Sequence, residues 1–440
     1  MSGYAEYREV NLPWLKAVPA HWEIRRNKNI FTEQKEIVGE RSADYTLLSL
    51  TLNGIIPRDM DGGGKFPESF DKYKIVKNGD MAFCLFDIDE TPRTVGLSGY
   101  NGMLTGAYTI MRVSNINARF IYYYYLALDN GKMLRPLYTG LRKTININTF
   151  QSTKVPVPPR EEQDQIVRFL DWKVSSINKL INIKHKEISE LNESLNTKLR
   201  NVLLSVPNVK EVPLKRICSV PMTDGPHETP TVVDSGIPFV SAEASHDGRI
   251  HLDECRGFIT REQHEVYCQK VRPHKNDIFI VKSGSTTGKT VMVDFDEEFS
   301  IWSPLALVRC NNLAMPRYVF FYCTSVMFQK QVRDNWSFGT QPNIGMGVLE
   351  NLRLPLPEIE EQRAIVDTLD AYWSKVLQVK CNLKKQIEEF QSLKTRIIAD
   401  AVTGKIDVRG IEIPEYEFVD EDADADNEGD GEEDTEEQED

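Results

Sequence analysis

The sequence predicts a mixed α+β protein: two tandem mixed α/β domains separated by two long antiparallel coiled-coil helices, in a pseudo-two-fold arrangement. Three observations predict it. One segment recurs after 199 residues; each copy opens a long apolar heptad; each is preceded by about 150 residues of short strand-like runs.

The repeat is read directly. Val155-Pro156-Val157-Pro158-Pro159-Arg160-Glu161-Glu162-Gln163 returns as Leu354-Pro355-Leu356-Pro357-Glu358-Ile359-Glu360-Glu361-Gln362. It continues without a gap into EEQxxIVxxLD at 161–171 and again at 360–370, and Gly140 pairs with Gly339 in the same register. The boundaries that follow are 1–158 for the first domain, 159–206 for the first long helix, 207–357 for the second domain, 358–404 for the second long helix and 405–440 for an acidic disordered tail.

The helices come from 3-4 spacing. Val167, Leu170, Val174, Ile177, Ile181, Lys184, Ile188, Leu191, Leu195, Lys198 and Val202 include nine apolar residues among eleven. Val366, Leu369, Trp373, Val376, Lys380, Leu383, Ile387, Phe390, Lys394, Ile397 and Ala401 do the same. A heptad held over five repeats, with no Gly or Pro, is a coiled-coil seam, and 36 residues of it span roughly 54 Å. The heptads leave parallel or antiparallel open; two equivalent halves related by a pseudo-two-fold make them antiparallel. The competing arrangement packs each helix on its own domain alone.

The two variable regions read as strands broken by Gly, Asn, Asp and Pro, such as Tyr45–Leu50, Met81–Phe86 and Asp277–Val281, with helices expected over Arg119–Leu128 and Pro316–Gln331. A shared turn precedes a buried strand: Lys77-Asn78-Gly79-Asp80 in one half, His274-Lys275-Asn276-Asp277 in the other. A polar loop follows, Asp87–Gly96 or Lys282–Lys289.

Charge must be read by region. The chain carries −13 formally, but residues from Glu412 to Asp440 hold 17 acidic side chains and no Lys or Arg, leaving the rest at +4. The tail is expected to be a solvated, solubilising terminus, with a DNA-mimicking competitor as the sharper alternative. The mildly basic remainder permits nucleic-acid binding. No run of about 18 apolar residues marks a membrane span, and MSGYAEYREV has no secretory pattern. Seven cysteines without a CxxC pair point to free thiols in a reducing compartment, hence the cytoplasm.

These features together resemble the specificity subunit of type I restriction–modification systems. The resemblance rests on the Pro-x-Pro-x-x-E-E-Q-x-x-I-V helix start, its duplication, the turn before a buried strand, and Gly339-Thr340-Gln341-Pro342-Asn343-Ile344 ahead of the second helix. It covers residues 10–408. It implies that each variable region is a target-recognition domain reading half of a split site in double-stranded DNA. The helices would set the spacing and dock two methyltransferase subunits, with restriction/translocase subunits joining them. The chain itself would hold no cofactor, AdoMet, ATP and Mg²⁺ belonging to those partners, and no catalytic residue. No G-x-S-x-G, HExxH or Asn/Asp-Pro-Pro-aromatic step is present. A scaffold that only joins partners, or an enzyme with an unrecognised site, are the alternatives; a DNA pull-down and an assay of the chain alone discriminate them.

Candidate DNA contacts follow from residue type. Lys282, Ser285, Thr286 and Lys289 share a loop whose Gly284 and Gly288 allow close backbone approach; a plain hairpin loop is the alternative. Three residues between those glycines, where a nucleotide-binding P-loop has four, exclude that motif. Arg142 and Lys143 are expected opposite Thr340 and Gln341, Arg suiting guanine and Gln adenine. Lys65, beside Gly62-Gly63-Gly64, and Arg93 and Lys35 are candidates on charge; solvated loop residues are the alternative for all. His251, Cys255, His264 and Cys268 form H-x3-C-x8-H-x3-C, a spacing that fits no common zinc site, and no metal is expected. The seam is carried by Val167, Leu170, Ile177, Leu191 and Leu195, and by Val366, Leu369, Val376, Leu383 and Phe390.

Overall fold

Sheet strands, helices and caps are described for residues 3–58, 67, 69–138, 143–339 and 341–420 of a computed structural model; Lys65, Arg142, Thr340 and the acidic residues from 421 onward lie outside the described residues. The described chain forms two compact units. One is Met1–His185 with the residues from Lys385 on, the other Lys186–Lys384.

In the first unit, four antiparallel strands run in the order Phe31–Gln34, Thr109–Val113, Asp80–Phe83, Val95–Leu97. The strand Asp80–Phe83 is buried at every position, Met81, Ala82 and Phe83 as apolar residues and Asp80 as a paired carboxylate. The helix Ala118–Asn130 covers the sheet. Asn117 starts it by accepting the Arg119 and Phe120 amides. Phe31, Phe83, Tyr125 and Phe150 interlock beneath it, Phe83 and Tyr125 meeting edge-on at 5.1 Å. Each such ring pair adds about 0.5–1.5 kcal/mol beyond its area burial. Strand Lys154–Val157 then pairs with Glu23–Arg26, and Pro158-Pro159 stop it because proline donates no ladder hydrogen bond.

The second unit repeats this plan. Its sheet order is Thr223–Asp224, Leu305–Val308, Ile278–Val281, Thr290–Met292, again antiparallel. Strand Arg353–Pro355 pairs with Glu211–Pro213 ahead of the second long helix. A smaller sheet, Gly257–Ile259, Ile237–Val240 and Ser300–Ile301, is added. The helix expected over Pro316–Gln331 is two, Pro316–Thr324 and Val326–Asn335. The break is Ser325, whose backbone is extended (ψ 150°) and whose hydroxyl turns back to the Tyr322 carbonyl at 2.7 Å.

The long helices are Arg160–Leu203 and Ile359–Val402, 44 residues each and so roughly 66 Å. In the first unit Ile166, Val167, Phe169 and Leu170 share one core with Ile398, Ala401 and Val402. In the second, Leu195, Leu199 and Leu203 share a core with Ile365, Val366, Leu369, Trp373 and Val376. The start of each helix therefore meets the end of the other, which is the antiparallel pairing. Eight of the ten seam residues are buried; Leu191 and Phe390 are half-buried.

The repeated EEQ is a structural lock. Gln163 accepts the Asn117 amide at 2.8 Å and donates to the Pro158 carbonyl. Gln362 accepts the Met315 amide at 2.8 Å and donates to Leu313 and Pro357. Each amide ties a domain helix to the start of a long one. Arg119 with Asp171 (2.7 Å) and Arg317 with Asp370 (2.5 Å) repeat the tie about two turns on along each long helix. The expected tail from 405 is corrected: residues 405–420 are seated on the first unit. Ile406, Val408, Ile411 and Ile413 pack against its core, while Gln165, Ser175, Asn178 and Asn182 hydrogen-bond to the segment's backbone. Averaging these residues with their acidic neighbours hid the apolar alternation.

Candidate nucleic-acid interface

The turn before the buried strand fixes the loop that follows it. Asn276 has φ +70° and Gly79 φ +88°, a region open to Asn and Gly. The next carboxylate, Asp277, accepts the His274 amide at 2.7 Å and pairs at 2.7 Å with Arg309, the residue after the adjacent strand Leu305–Val308. Asp80 accepts the Lys77 amide at 3.0 Å and pairs with Arg112 at 3.2 Å. The hydrogen bond that the Arg309 guanidinium donates to Asp277, against an opposing burial effect, holds it above its ordinary pKa.

From this base the second unit brings three loops together. Loop Lys282–Lys289 is closed by Gly288 N–H donating to the Val281 carbonyl (2.7 Å), with Gly284 at φ +100° and Gly288 at φ +96°. It meets the hairpin Ser337–Phe338/Pro342–Asn343: the Gly284 amide donates to Pro342, the Ile344 amide to Lys282, and the Thr287 hydroxyl to both Gly284 and Pro342. The third loop is Asp224-Gly225-Pro226-His227, which sequence reading did not single out. Asp224 is nearly buried and takes Lys270 at 2.6 Å, Lys282 at 3.1 Å and His227 at 3.2 Å. Burial pushes its carboxyl upward, but the hydrogen bonds from Lys270 and Lys282 prevail and hold it below the ordinary value. Gly225 is required, since a Cβ there would stand 2.3 Å from the Ile301 carbonyl oxygen.

The resulting surface presents Ser285 and Gln341, both exposed, beside Lys270 and His227, which are 45% and 67% exposed. Arg256, half-exposed, lies 4.5 Å over the Trp302 ring. Hydroxyl, amide and cation in one patch are the groups that meet phosphates and base edges. Lys282, only 13% exposed, is a brace for the loop rather than a free contact. Thr286 and Lys289 are half-buried, and the Lys289 amide donates to the Thr286 carbonyl.

The first unit joins the equivalent loops. The Asp87 amide donates to Lys143 at 2.8 Å and the Ile145 amide to Leu85 at 2.7 Å. These bonds match Gly284 to Pro342 and Ile344 to Lys282, so Lys143 corresponds to Pro342, one residue off the expected pairing with Gln341. Arg93 is corrected: it is 14% exposed and pairs at 3.0 Å with the fully buried Asp129, which also takes Thr94 and Lys132. It braces the fold. Lys143 is half-exposed and bonded to Glu90, with Asp89 at 3.7 Å; the Glu90 bond raises its pKa. Lys35 is 76% exposed, 3.3 Å from Glu33.

The four His and Cys residues of the spaced motif are not one site. His251 stacks on His246 at 3.9 Å near Glu254, whereas His264 contacts Cys268 and Ser300. Among the described residues, the acid–histidine groups close enough to share an ion are His246–His251–Glu254 and His264–Glu265–Glu298. All seven cysteines are free, and no helix among the described residues is long and apolar enough to cross a membrane.

The repeated architecture and its paired loops agree with comparison to known proteins. The family model for the type I restriction modification DNA specificity domain matches residues 70–193 and again 208–389. The chain belongs to this family. Its role is DNA specificity within a restriction–modification system, and it is a non-catalytic component. It is similar to the type I restriction enzyme MjaVIII specificity subunit of Methanocaldococcus jannaschii, 24% identical over 92% of this chain and 98% of that one. It is also similar to the EcoBI specificity subunit of Escherichia coli, 21% identical over 60% of each. A solved structure from a study of complex assembly and conformational transition of the type I R-M system shares the fold, with TM-score 0.55, 16% identity, and coverage of 88% of this chain and 99% of that one.

Proposed function

We propose that each unit of this specificity chain reads one half of a bipartite site in double-stranded DNA. The observation that carries the reading is the twofold recurrence of one loop junction: Leu85–Asp87 against Lys143–Ile145, and Lys282–Gly284 against Pro342–Ile344. Splitting recognition makes specificity the product of two modest readouts. Phosphate contacts from Lys270, His227 and Arg256 position the duplex; Ser285 and Gln341, with Thr340 beside Gln341 in sequence, supply base contacts in the second unit, and Arg142, beside Lys143 in sequence, in the first. The paired helices set the gap between half-sites and dock two methyltransferase subunits, which restriction/translocase subunits join. AdoMet, ATP and Mg²⁺ serve in those partners, and the assembly works in the cytoplasm. Sequencing the methylome of the host with and without this gene tests the reading. A bipartite methylated motif that disappears on deletion supports it; an unchanged methylome contradicts it.

A further inference from the structure

Among the described residues, the chain fills a groove in its first unit that it leaves open in its second. In the first, residues 411–420 (Ile-Glu-Ile-Pro-Glu-Tyr-Glu-Phe-Val-Asp) run along Arg160–Leu203 without helix or strand. Ser175 holds this strap twice, its hydroxyl donating to the Glu417 carbonyl (3.0 Å) and accepting from the Val419 amide (2.8 Å). Arg119, paired with Asp171, lies 5.9 Å over the Phe418 ring. In the second unit Asp370 and Ser374 stand at the 199-residue spacing from Asp171 and Ser175, one turn apart on the helix, and Asp370 is paired with Arg317, 198 residues after Arg119. There they line a cavity of about 550 Å³, closed on another side by Gly248 and Arg249.

We infer that this cavity is a docking site for an extended peptide segment of a partner protein that carries an aromatic side chain, of the kind the chain itself supplies to its first unit. Three features carry the assignment. The arginine–carboxylate pair and serine are repeated where the strap uses them. The volume suits a bulky side chain or two. Arg317, paired with Asp370 as Arg119 is with Asp171, turns its guanidinium face to aromatic rings and lies 4.6 Å over Phe321, while Arg249 is paired with Asp294 at 3.3 Å, so the charged groups of the lining balance and leave aromatic contact as the chemistry on offer. The inference is independent of DNA reading, because its test contains no DNA.

The experiment titrates the full chain into a fluorescein-labelled peptide of residues 411–420 and follows anisotropy. Saturable binding of one peptide per chain, with a Kd below roughly 100 μM, is expected. Ser374 is exposed, so Ser374→Tyr fills the cavity with the fold intact, checked by an unchanged thermal midpoint, and should weaken binding by about tenfold or more. A peptide with Tyr416 and Phe418 replaced by Ser should weaken equally. No saturable binding, or binding indifferent to Ser374→Tyr or to loss of the rings, overturns the inference.

Discussion

Asp224 holds together a surface that its neighbours present. Its carboxylate is 8% exposed and Lys282 13% exposed, so the pair is shielded from salt and solvent more than a surface bridge would be. Asp224→Asn keeps the shape but leaves Lys282 charged beside a neutral amide. We predict a loss of about 1–3 kcal/mol in denaturant unfolding, with weaker DNA binding, since the loop Lys282–Lys289 loses its anchor. His246 gives a pH-dependent counterpart. The hydrogen bond with Asp247, ahead of the opposing burial effect, raises its pKa, and Glu254 at 2.8 Å adds to the rise. Asp247 in turn pairs with Lys384 at 2.8 Å and Lys380 at 3.6 Å of the second long helix. The protonated imidazole therefore stabilises the fold fully below the ordinary histidine value of about 6.5. That contribution is lost as pH rises through the raised folded value. The thermal midpoint should fall between pH 6 and pH 8, and His246→Gln should flatten that slope; an equal slope in both proteins counts against the tie. The residue scale is also where sequence reading misled. Arg93 and Lys282 look like free cations by type, and only burial against Asp129 and Asp224 shows otherwise. Those partners lie 36 and 58 positions away in the chain, beyond the reach of local pattern.

At the scale of elements the long helices were legible because 3-4 spacing leaves little alternative over 44 residues, and the EEQ start could be seen to repeat though its purpose could not. The two glutamines reach carbonyls and amides about 50 residues upstream, a relation that no spacing encodes. The Ser325 break was illegible for the opposite reason: Val326–Asn335 continues a helical composition, and the interruption is a single extended residue. The strap at 405–420 was hidden by composition, its isoleucines alternating with glutamates that argued for disorder. If the paired helices set the half-site gap, adding one heptad to both at matched positions lengthens the pairing by roughly 10.5 Å, about three base pairs at 3.4 Å each. Methylome sequencing should then report a motif whose non-specific spacer is longer by about that amount, or no methylation at all. A native spacer retained with full methylation would remove the helices from any ruler role.

For the molecule as a whole, the repeat explains more than either half alone. The same sheet order, the same aspartate–arginine clasp and the same junction of loops appear twice in one chain. The loops themselves differ: the first unit spends Lys143 on Glu90, while the second exposes Ser285 and Gln341. A shared frame with unlike loops is what two independent readouts require. The double substitution Ser285→Ala with Gln341→Ala, in the full-length chain expressed with its partner subunits, tests this most directly by methylome sequencing. The account predicts that one half of the bipartite motif relaxes or changes while the other half and the spacer stay as they were. A motif altered in both halves, or in neither, would contradict the assignment of one reader to each unit.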